Sequence, residues 1–175
     1  MIVKRVLVII ALAGILSGCE AQPTWETVED ILPVEQAAVV QQLYVDIPEE
    51  AASPTFQDDA GTEMYLCQGF SLTKQIFVGG DLEKTVKTLS GQSKENLQIL
   101  KTKQDDLTRY DFVWSAAGED GLQVGRACIL DDNAYHYAVS TMAQEKDAGK
   151  LQETWQEIFE SCRLLEPDIN LSTGS

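Results

Sequence analysis

The chain has 175 residues, with 13 Lys and Arg against 28 Asp and Glu, and a formal net charge of −15. This length allows one ordinary domain. The negative charge excludes a nucleic-acid binder that works through a basic surface. A hydrophobic content of 44% is enough for a buried core, so the chain is neither a disordered acidic segment nor, with a single long apolar run, a multi-span membrane protein.

The first 18 residues differ from the rest in charge and in hydropathy. They hold two basic residues, Lys4 and Arg5, and no acid, so the other 157 residues carry 11 basic and 28 acidic side chains, a formal charge of −17. An apolar run of eleven residues, 6–16, follows. As a helix this run would be about 16 Å long, about half the thickness of the bilayer hydrocarbon. Residues 1–18 therefore predict a secretion signal.

The segment Leu16-Ser17-Gly18-Cys19 resembles the lipobox of bacterial lipoproteins. The resemblance implies cleavage between Gly18 and Cys19, a diacylglyceryl group on the Cys19 sulfur and, in some members, a further acyl chain such as palmitate on the new amino terminus. One acyl chain holds a protein at a membrane only marginally, whereas two or more hold it stably. We expect a protein anchored by lipid to the extracytoplasmic face of the cell membrane. An ordinary signal peptide or an uncleaved hydrophobic helix is the alternative.

The exported part divides into a tether, a domain and a tail. Residues 19–38 mix prolines, acids and a few apolar side chains without a period, which is typical of an acidic flexible tether. Residues 39–165 carry regular patterns and predict one globular domain. Residues 166–175 have too few apolar side chains for more structure and predict a disordered tail.

The domain begins with strand patterns. Period-two alternation predicts a strand over 39–47 that ends at Pro48, and residues 49–61 are expected to form a loop. Residues 64–78 predict two strands or one strand bent at Gly69. Asp81 is suited to cap a short helix that ends at Gly91.

The second half of the domain predicts more sheet and a closing helix. A short strand at 97–102 precedes three strands, 107–117, 122–130 and 134–142, which turn residues separate into an antiparallel meander. From about Asp147 to Cys162, apolar side chains recur every three or four residues and predict an amphipathic helix lying on the sheet. This order predicts an α/β fold of the α+β type, an antiparallel sheet with a short mid-chain helix and a C-terminal amphipathic helix.

The order of elements and the closing segment Trp155-Gln-Glu-Ile-Phe-Glu-Ser-Cys-Arg-Leu164 resemble the PsbP-like fold. This is an α/β/α sandwich named for an accessory protein of the photosynthetic oxygen-evolving complex. The chain is also similar to small lipoproteins of anaerobic Gram-positive bacteria that have no assigned activity. The resemblance covers residues 39–165 and implies a scaffold or partner-binding module more than an enzyme.

Three cysteines remain after Cys19. In an exported protein, two of Cys67, Cys128 and Cys162 could form a disulfide, which allows three pairings and leaves one thiol. Each lies in a predicted strand or on an apolar helical face, so three buried thiols are the alternative. The sequence has no C-x-x-C motif, which disfavours a thiol redox relay.

Acidic pairs are the candidates for metal binding or hydrolysis. Two carboxylates can cleave a glycosidic bond, and several oxygen ligands can bind calcium. The best calcium candidates are Asp131, Asp132 and Asn133, although all the acidic pairs fall in predicted turns, where Asp favours local hydrogen bonds. No other metal site and no cofactor is predicted. The pairs are Asp58-Asp59, Asp105-Asp106, Glu119-Asp120 and Asp131-Asp132.

His136 is the only histidine, which excludes a metal centre built from several imidazoles. We expect it at the sheet surface or against the C-terminal helix. Arg126 interrupts the apolar alternation of its strand and is the candidate for a buried ion pair or an anionic ligand. Five aromatic residues could floor a ligand groove or form the sheet face beneath a helix. They are Tyr110, Phe112, Trp114, Tyr135 and Tyr137.

These observations favour a lipid-anchored extracytoplasmic lipoprotein that acts as a non-catalytic binding or accessory module at the cell envelope. Its expected partners are the membrane, through the lipid anchor, and an envelope protein or a small molecule. The alternatives are a cell-envelope hydrolase that uses a carboxylate pair and a purely structural surface lipoprotein. Converging carboxylates or a nucleophile in a concave pocket would favour the hydrolase.

Overall fold

A computed structural model of the chain describes residues 39–104 and 106–165. All the described residues belong to one compact unit. The predicted signal peptide, tether and tail fall on residues 1–38 and 166–175, outside the described residues.

Nine strands and three α-helices make up the described part of the chain. The strands are β1 (Gln42–Tyr44), β2 (Phe56–Gln57), β3 (Glu63–Cys67), β4 (Phe70–Val78), β5 (Ile99–Gln104), β6 (Leu107–Gly118), β7 (Gly121–Asp131), β8 (Tyr135–Gln144) and β9 (Arg163–Leu165). The helices are α1 (Leu82–Ser90), α2 (Glu145–Ala148) and α3 (Gln152–Ser161), with short 3-10 helices at Glu49–Ala51 and Lys94–Asn96.

Seven strands form one antiparallel sheet in the order β2-β3-β4-β8-β7-β6-β5, and β1 and β9 form a separate two-stranded sheet. The predicted meander is confirmed, because β5, β6, β7 and β8 pair in chain order through short turns. β8 also pairs with β4 along nine residues, which joins the hairpin of β3 and β4 to the meander. The predicted α+β class is therefore confirmed.

Both faces of the large sheet are covered. Consecutive residues Ala127, Cys128, Ile129 and Leu130 on β7 are at most 2% exposed, although neighbouring side chains on a strand point to opposite faces. One face packs against α1 around Val86. The other packs against α3 and β1. Three layers result, with the sheet in the middle, as the predicted sandwich required.

The core on the α1 face and the core on the α3 face are distinct. On the α1 face the buried hydrophobic residues are Val86, Phe112, Trp114, Ala127, Ile129 and Ala138. On the α3 face the largest are Leu43, Tyr65, Phe70, Leu72, Tyr137, Trp155, Ile158 and Phe159. Strands β7 and β8 contribute side chains to both cores, which explains why these strands have long apolar runs.

The predicted caps of α1 are confirmed. The Oδ1 of Asp81 accepts a hydrogen bond of 2.9 Å from the backbone N–H of Lys84, which satisfies a free donor at the helix start. Gly91 follows the helix with a φ of 72°, and its N–H donates to the carbonyl of Lys87. A residue with a positive φ at this position closes the last turn of the helix, and glycine adopts this conformation without a steric penalty because it has no Cβ.

The structure differs from the sequence prediction at the edges of the domain. The first strand covers only Gln42–Tyr44 instead of 39–47, and the expected loop contains the short strand β2. The expected closing helix is two helices, because a tight turn at 149–151 interrupts it, with the N–H of Leu151 donating to the carbonyl of Ala148. β9 was not predicted, since three residues are too few to show a period.

Tyr137 connects the large sheet to the segment that leads into β1. Its ring is fully buried, and its hydroxyl accepts from the backbone N–H of Gln41 at 3.0 Å and donates to Oδ2 of Asp132 at 3.1 Å. Burial, together with the hydrogen bond to Asp132, raises the pKa of Tyr137 to about 12.

None of the described helices is both long and apolar enough to cross a bilayer.

We expect Gly125→Ala to lower the free energy of unfolding by about 1–3 kcal/mol, because overpacking of a tight core costs this much. Gly125 is opposite Trp114 on β6, and a Cβ at Gly125 would lie 2.3 Å from the indole carbons. Chemical denaturation measures the change.

Gly149→Ala is the matched control, because a Cβ at Gly149 meets no atom within 4 Å. Its free energy of unfolding should equal that of the wild type or exceed it slightly, since alanine reduces the entropy of the unfolded chain. Equal stability of the Gly125→Ala and Gly149→Ala variants would contradict the close approach of Trp114.

The raised pKa of Tyr137 predicts a loss of stability at alkaline pH. The folded state binds the phenolic proton more tightly than the unfolded state, whose tyrosines titrate near pH 10. Tyr137 therefore contributes its full stabilisation below about pH 10, and this contribution is lost as pH rises towards 12. Between about pH 10 and pH 12, the free energy of unfolding of Tyr137→Phe should therefore fall less steeply than that of the wild type.

The absorbance of tyrosinate gives a second measurement. Of the five tyrosines in the chain, Tyr65 and Tyr137 have a pKa raised to about 12. Tyr137→Phe should remove one of the two late titrations, and Tyr65→Phe should remove the other. A titration curve unchanged by Tyr137→Phe would refute the assignment.

Candidate functional site

A cavity of about 630 Å³ lies on the α3 face, between the helical layer and strands β6 and β7. Its volume falls within the range of about 300–1,000 Å³ that is common for small-molecule sites. The turn between α2 and α3 closes one side of it. The lining residues are Gln98, Asp111, Phe112, Val113, Val124, Arg126, Ala148, Gly149, Gln152, Trp155 and Gln156.

The side chains around the cavity are of three kinds. Trp155 on α3 is 5% exposed, and Val113 and Val124 add aliphatic wall from the sheet. Three exposed glutamines contribute amides at the rim, and two charged residues of the sheet complete the lining. The glutamines are Gln98, Gln152 and Gln156, and the charged residues are Asp111 on β6 and Arg126 on β7.

Arg126 is half-buried and lines the cavity. Its guanidinium carbon is 4.5 Å from the centre of the Phe159 ring, a cation–π contact with a fully buried ring of α3. Within residues 39–104 and 106–165 the guanidinium makes no salt bridge and no hydrogen bond to protein. Of the two roles predicted for Arg126, the buried ion pair is not formed among the described residues, and the anionic ligand stays a prediction.

Asp111, the carboxylate of the cavity, is neutralised by Arg109 on the same strand face. Nε and Nη2 of Arg109 donate to Oδ2 and Oδ1 of Asp111 at 2.7 and 2.8 Å, and Nη2 also donates to the carbonyl of Phe159 at 2.9 Å. The hydrogen bonds to Asp111 raise the pKa of Arg109 above its ordinary value. This pair was not predicted, although two opposite charges two positions apart on a strand share a face and could have indicated it.

The three cysteines of the domain are free thiols. Cys128 on β7 and Cys162 at the end of α3 belong to the same buried core, and the thiol of Cys162 donates to the carbonyl of Ile158 at 3.4 Å. The neighbouring Cys162 side chain, together with burial, raises the pKa of the Cys128 thiol. Cys67 lies on β3, separated from β7 by β4 and β8, and burial raises its pKa to about 11. Cys128 and Cys162 are buried and Cys67 is half-buried, and the choice between a disulfide and buried thiols in the exported protein stays a prediction. Thiols with raised pKa values are poor nucleophiles at neutral pH.

The calcium candidates use their carboxylates within the turn between β7 and β8. Oδ1 of Asp131 accepts from the N–H of Asn133, and Oδ1 of Asp132 accepts from the N–H groups of Ala134 and Tyr135. In the described ranges, no group of three His, Cys, Asp or Glu side chains is placed to hold a metal ion. The geometry therefore gives the calcium hypothesis no support.

The other acidic pairs also lie in turns and away from the cavity. Oδ1 of Asp58 accepts from the N–H groups of Ala60 and Thr62, and Glu119-Asp120 is exposed between β6 and β7. Asp105 lies outside the described residues, and the exposed Asp106 is not part of the cavity. The pairs that suggested a hydrolase are therefore not brought together in the cavity.

His136 is 1% exposed and packs against α1. Its Nδ1 lies 2.8 Å from Oγ1 of Thr85, and its Nε2 lies 3.8 Å from Oδ1 of Asp131. The expectation of a position at the sheet surface or against the C-terminal helix is wrong, because His136 alternates with Tyr137 and so faces the opposite layer. It joins the mid-chain helix to the sheet.

The aromatic residues do not form a shared groove. Phe112 and Trp114 are in the core beneath α1, with Tyr110 packed against it. Tyr137 belongs to the opposite core, where Tyr135 packs against it. The stripe on β6 is thus the sheet face beneath a helix, one of the two predicted alternatives.

Comparisons with known proteins give similar structures but no family. No protein-family model matches the chain, and no curated protein is found with a similar sequence. The PsbP protein of the cyanobacterium Synechocystis sp. PCC 6803 (CyanoP) is similar with a TM-score of 0.48 and 9% identity, over 74% of this chain and 96% of that one. LpqN of Mycobacterium tuberculosis, involved in cell envelope biogenesis, is similar with a TM-score of 0.46 and 12% identity, over 71% of this chain and 84% of that one.

Proposed function

We propose that the chain is exported, acylated at Cys19 and held at the extracytoplasmic face of the cell membrane, where its domain binds a ligand without transforming it. The observation that carries the binding role is the cavity beside α3, which combines an apolar wall, amide groups and an arginine, Arg126, that has no acidic partner among the described residues. A concave, mainly apolar site with a few polar groups is typical of small-molecule recognition.

The sequence supports the lipid anchor. A basic start, a short apolar run and the segment Leu16-Ser17-Gly18-Cys19 occur in the order that export and acylation of a lipoprotein require. The exported residues carry a charge of −17, from 11 basic and 28 acidic side chains. Such a charge is repelled by an anionic membrane surface, so stable attachment needs lipid rather than electrostatic attraction.

The chemistry of the cavity favours binding over catalysis. Proton transfer needs an acid or base that can exchange a proton near neutral pH, and covalent catalysis needs an activated nucleophile. The carboxylate of Asp111 is held by two hydrogen bonds from Arg109, and the glutamine amides neither titrate nor attack. These groups can orient a ligand, whereas a hydrolase of the predicted kind needs a second carboxylate beside Asp111.

We expect Cys19→Ala to abolish acylation and to release the protein from the membrane. Cells are fed an alkyne analogue of palmitate, and the labelled protein is followed in membrane and soluble fractions. The wild type should carry the label and sediment with membranes, because two or more acyl chains anchor a protein stably.

Cys67→Ala is the matched control, because it removes a cysteine outside the lipobox. This variant should keep both the label and the membrane location. Labelling of Cys19→Ala at the wild-type level would exclude Cys19 as the acylation site.

Filling the cavity should remove a bound ligand. Gly149 lines the cavity and has helical backbone angles with a φ of −63°, and a Cβ at this position would have no other atom within 4 Å. Gly149→Phe therefore has room for its side chain, and we expect its ring to occupy part of the cavity that Gly149 lines. Native mass spectrometry of the wild-type chain, extracted from its own membranes, should detect a small-molecule adduct that Gly149→Phe lacks.

Val78→Phe provides the control, because Val78 is 80% exposed at the end of β4 and is not part of the cavity. Its adduct should match that of the wild type in mass and amount. If the wild type carries no adduct, or if Gly149→Phe carries the same one, the cavity is not a binding site.

A further inference from the structure

Two side chains that line the cavity, Arg126 and Trp155, have hydrogen-bond donors without a protein acceptor among the described residues. Arg126 has five N–H groups, and none of them reaches a protein acceptor within the described ranges. Nε1 of Trp155 is buried without a hydrogen-bond partner among these residues, and indole nitrogen can only donate. Buried donors are normally paired, so an unpaired one needs an explanation.

A third unpaired group lies next to Arg126. Thr141 is directly opposite Arg126 in the register of β7 and β8, and its buried Oγ1 has no hydrogen-bond partner in the described part of the chain. Residues that pair directly across two strands share a sheet face. Thr141 and Arg126 therefore lie on the sheet face that α3 covers, and Trp155 of α3 packs against this same face.

One positive charge of the cavity, that of Arg126, has no carboxylate partner among the described residues, although the chain is acidic. Arg109 and Arg126 contribute two positive charges, and Asp111 contributes one negative charge that Arg109 already pairs. The cavity thus has room for one more negative charge, opposite Arg126. Arginine is well suited to bind a planar oxyanion through two parallel N–H groups.

The geometry points to a small amphipathic anion as the ligand, with a carboxylate or another singly charged oxyanion at Arg126 and Trp155 and an apolar body along Val113 and Val124. This inference rests on the binding role proposed above and adds the chemical class of the ligand. The anionic oxygens supply the acceptors that the buried donors lack. The aliphatic wall accommodates a hydrocarbon chain or ring.

Four six-carbon probes that differ in their head group test this class. Hexanoate and hexyl sulfate carry one negative charge, hexanol is neutral, and hexylammonium is positive. The exported chain is used as the cell delivers it, so the outcome does not depend on acylation of Cys19. Both anions should bind at least about ten-fold more tightly than hexanol, the difference expected for a charge-assisted hydrogen bond, and hexylammonium should not bind.

The indole N–H signals in nitrogen-15 NMR report the site directly. Among the signals of the three tryptophans, the one from Trp155, assigned with Trp155→Phe, should shift downfield when hexanoate or hexyl sulfate supplies an acceptor. Hexanol should shift it much less. An unchanged Trp155 signal at saturating hexanoate would overturn the proposed binding mode.

Arg126→Gln should weaken binding of both anions by at least about ten-fold and leave hexanol binding unchanged. Arg126→Lys keeps the charge and should recover part of the affinity. Arg163→Gln is the matched control, because Arg163 also stacks on an aromatic ring, 3.8 Å from the centre of Tyr44, but lies outside the cavity. If Arg126→Gln does not fold, Trp155→Phe serves as the second variant and should weaken anion binding while hexanol binding is retained.

Equal binding of hexanoate and hexanol, or wild-type anion affinity in Arg126→Gln, would overturn the inference. These results are distinguishable from a failure of the proposed binding role. An adduct that Gly149→Phe removes, together with no binding of either anion, would mean that the cavity binds a ligand of another chemical class.

Discussion

The burial of β7 and β8 on both faces is the constraint on which the rest of the structure depends. A sheet whose central strands are apolar on both sides needs a covering layer on each face, and a domain of this size has few helices and strands to form the two layers. α1 covers one face through Val86, and α3, with β1 and β9, covers the other through Phe159 and Leu43. The second cover is incomplete near β6, and the cavity lies where the turn between α2 and α3 borders the sheet. The cavity is thus a consequence of how the helical layer is divided.

The sequence predicted the long and strongly patterned elements well. The meander and the capped helix at Asp81 could be derived because their apolar periods and turn residues are local signals. β9 could not, since its three residues become a strand only by pairing with β1 from the other end of the domain. The division of the closing helix also escaped prediction, because the apolar period continues across the turn at Gly149. The layer against which His136 packs depends on strand register, which a single sequence does not specify.

The candidate site was only partly predictable. Arg126 stood out because a charge interrupted an apolar strand, and the structure places it on the cavity. Its neighbour Asp111 was not singled out in the sequence, and Trp155 belonged to the apolar stripe of the predicted closing helix. Arg126, Asp111 and Trp155 form a site because of how their hydrogen bonds are distributed. Arg109 donates to both carboxylate oxygens of Asp111, and the donors of Arg126 and Trp155 remain without an acceptor among the described residues. The spacing of Arg109 and Asp111 could have indicated their pairing, but the donors that then lack an acceptor lie on other elements, β7 and α3, and no local pattern shows them.

The pairing of β1 with β9 joins residues 42–44 to residues 163–165, so the two ends of the folded domain emerge beside each other. When the start of β1 and the end of β9 are pulled apart, the strand pair opens one hydrogen bond at a time from that end instead of shearing along its length. The same adjacency makes the domain suitable for insertion into a surface loop of another protein, because host and guest need to meet at only one place. The adjacency also favours circular permutation. A permutant that is cut in a loop such as the one after β2, and in which a linker joins the end of β9 to the start of β1, would keep every layer of the sandwich in its present order.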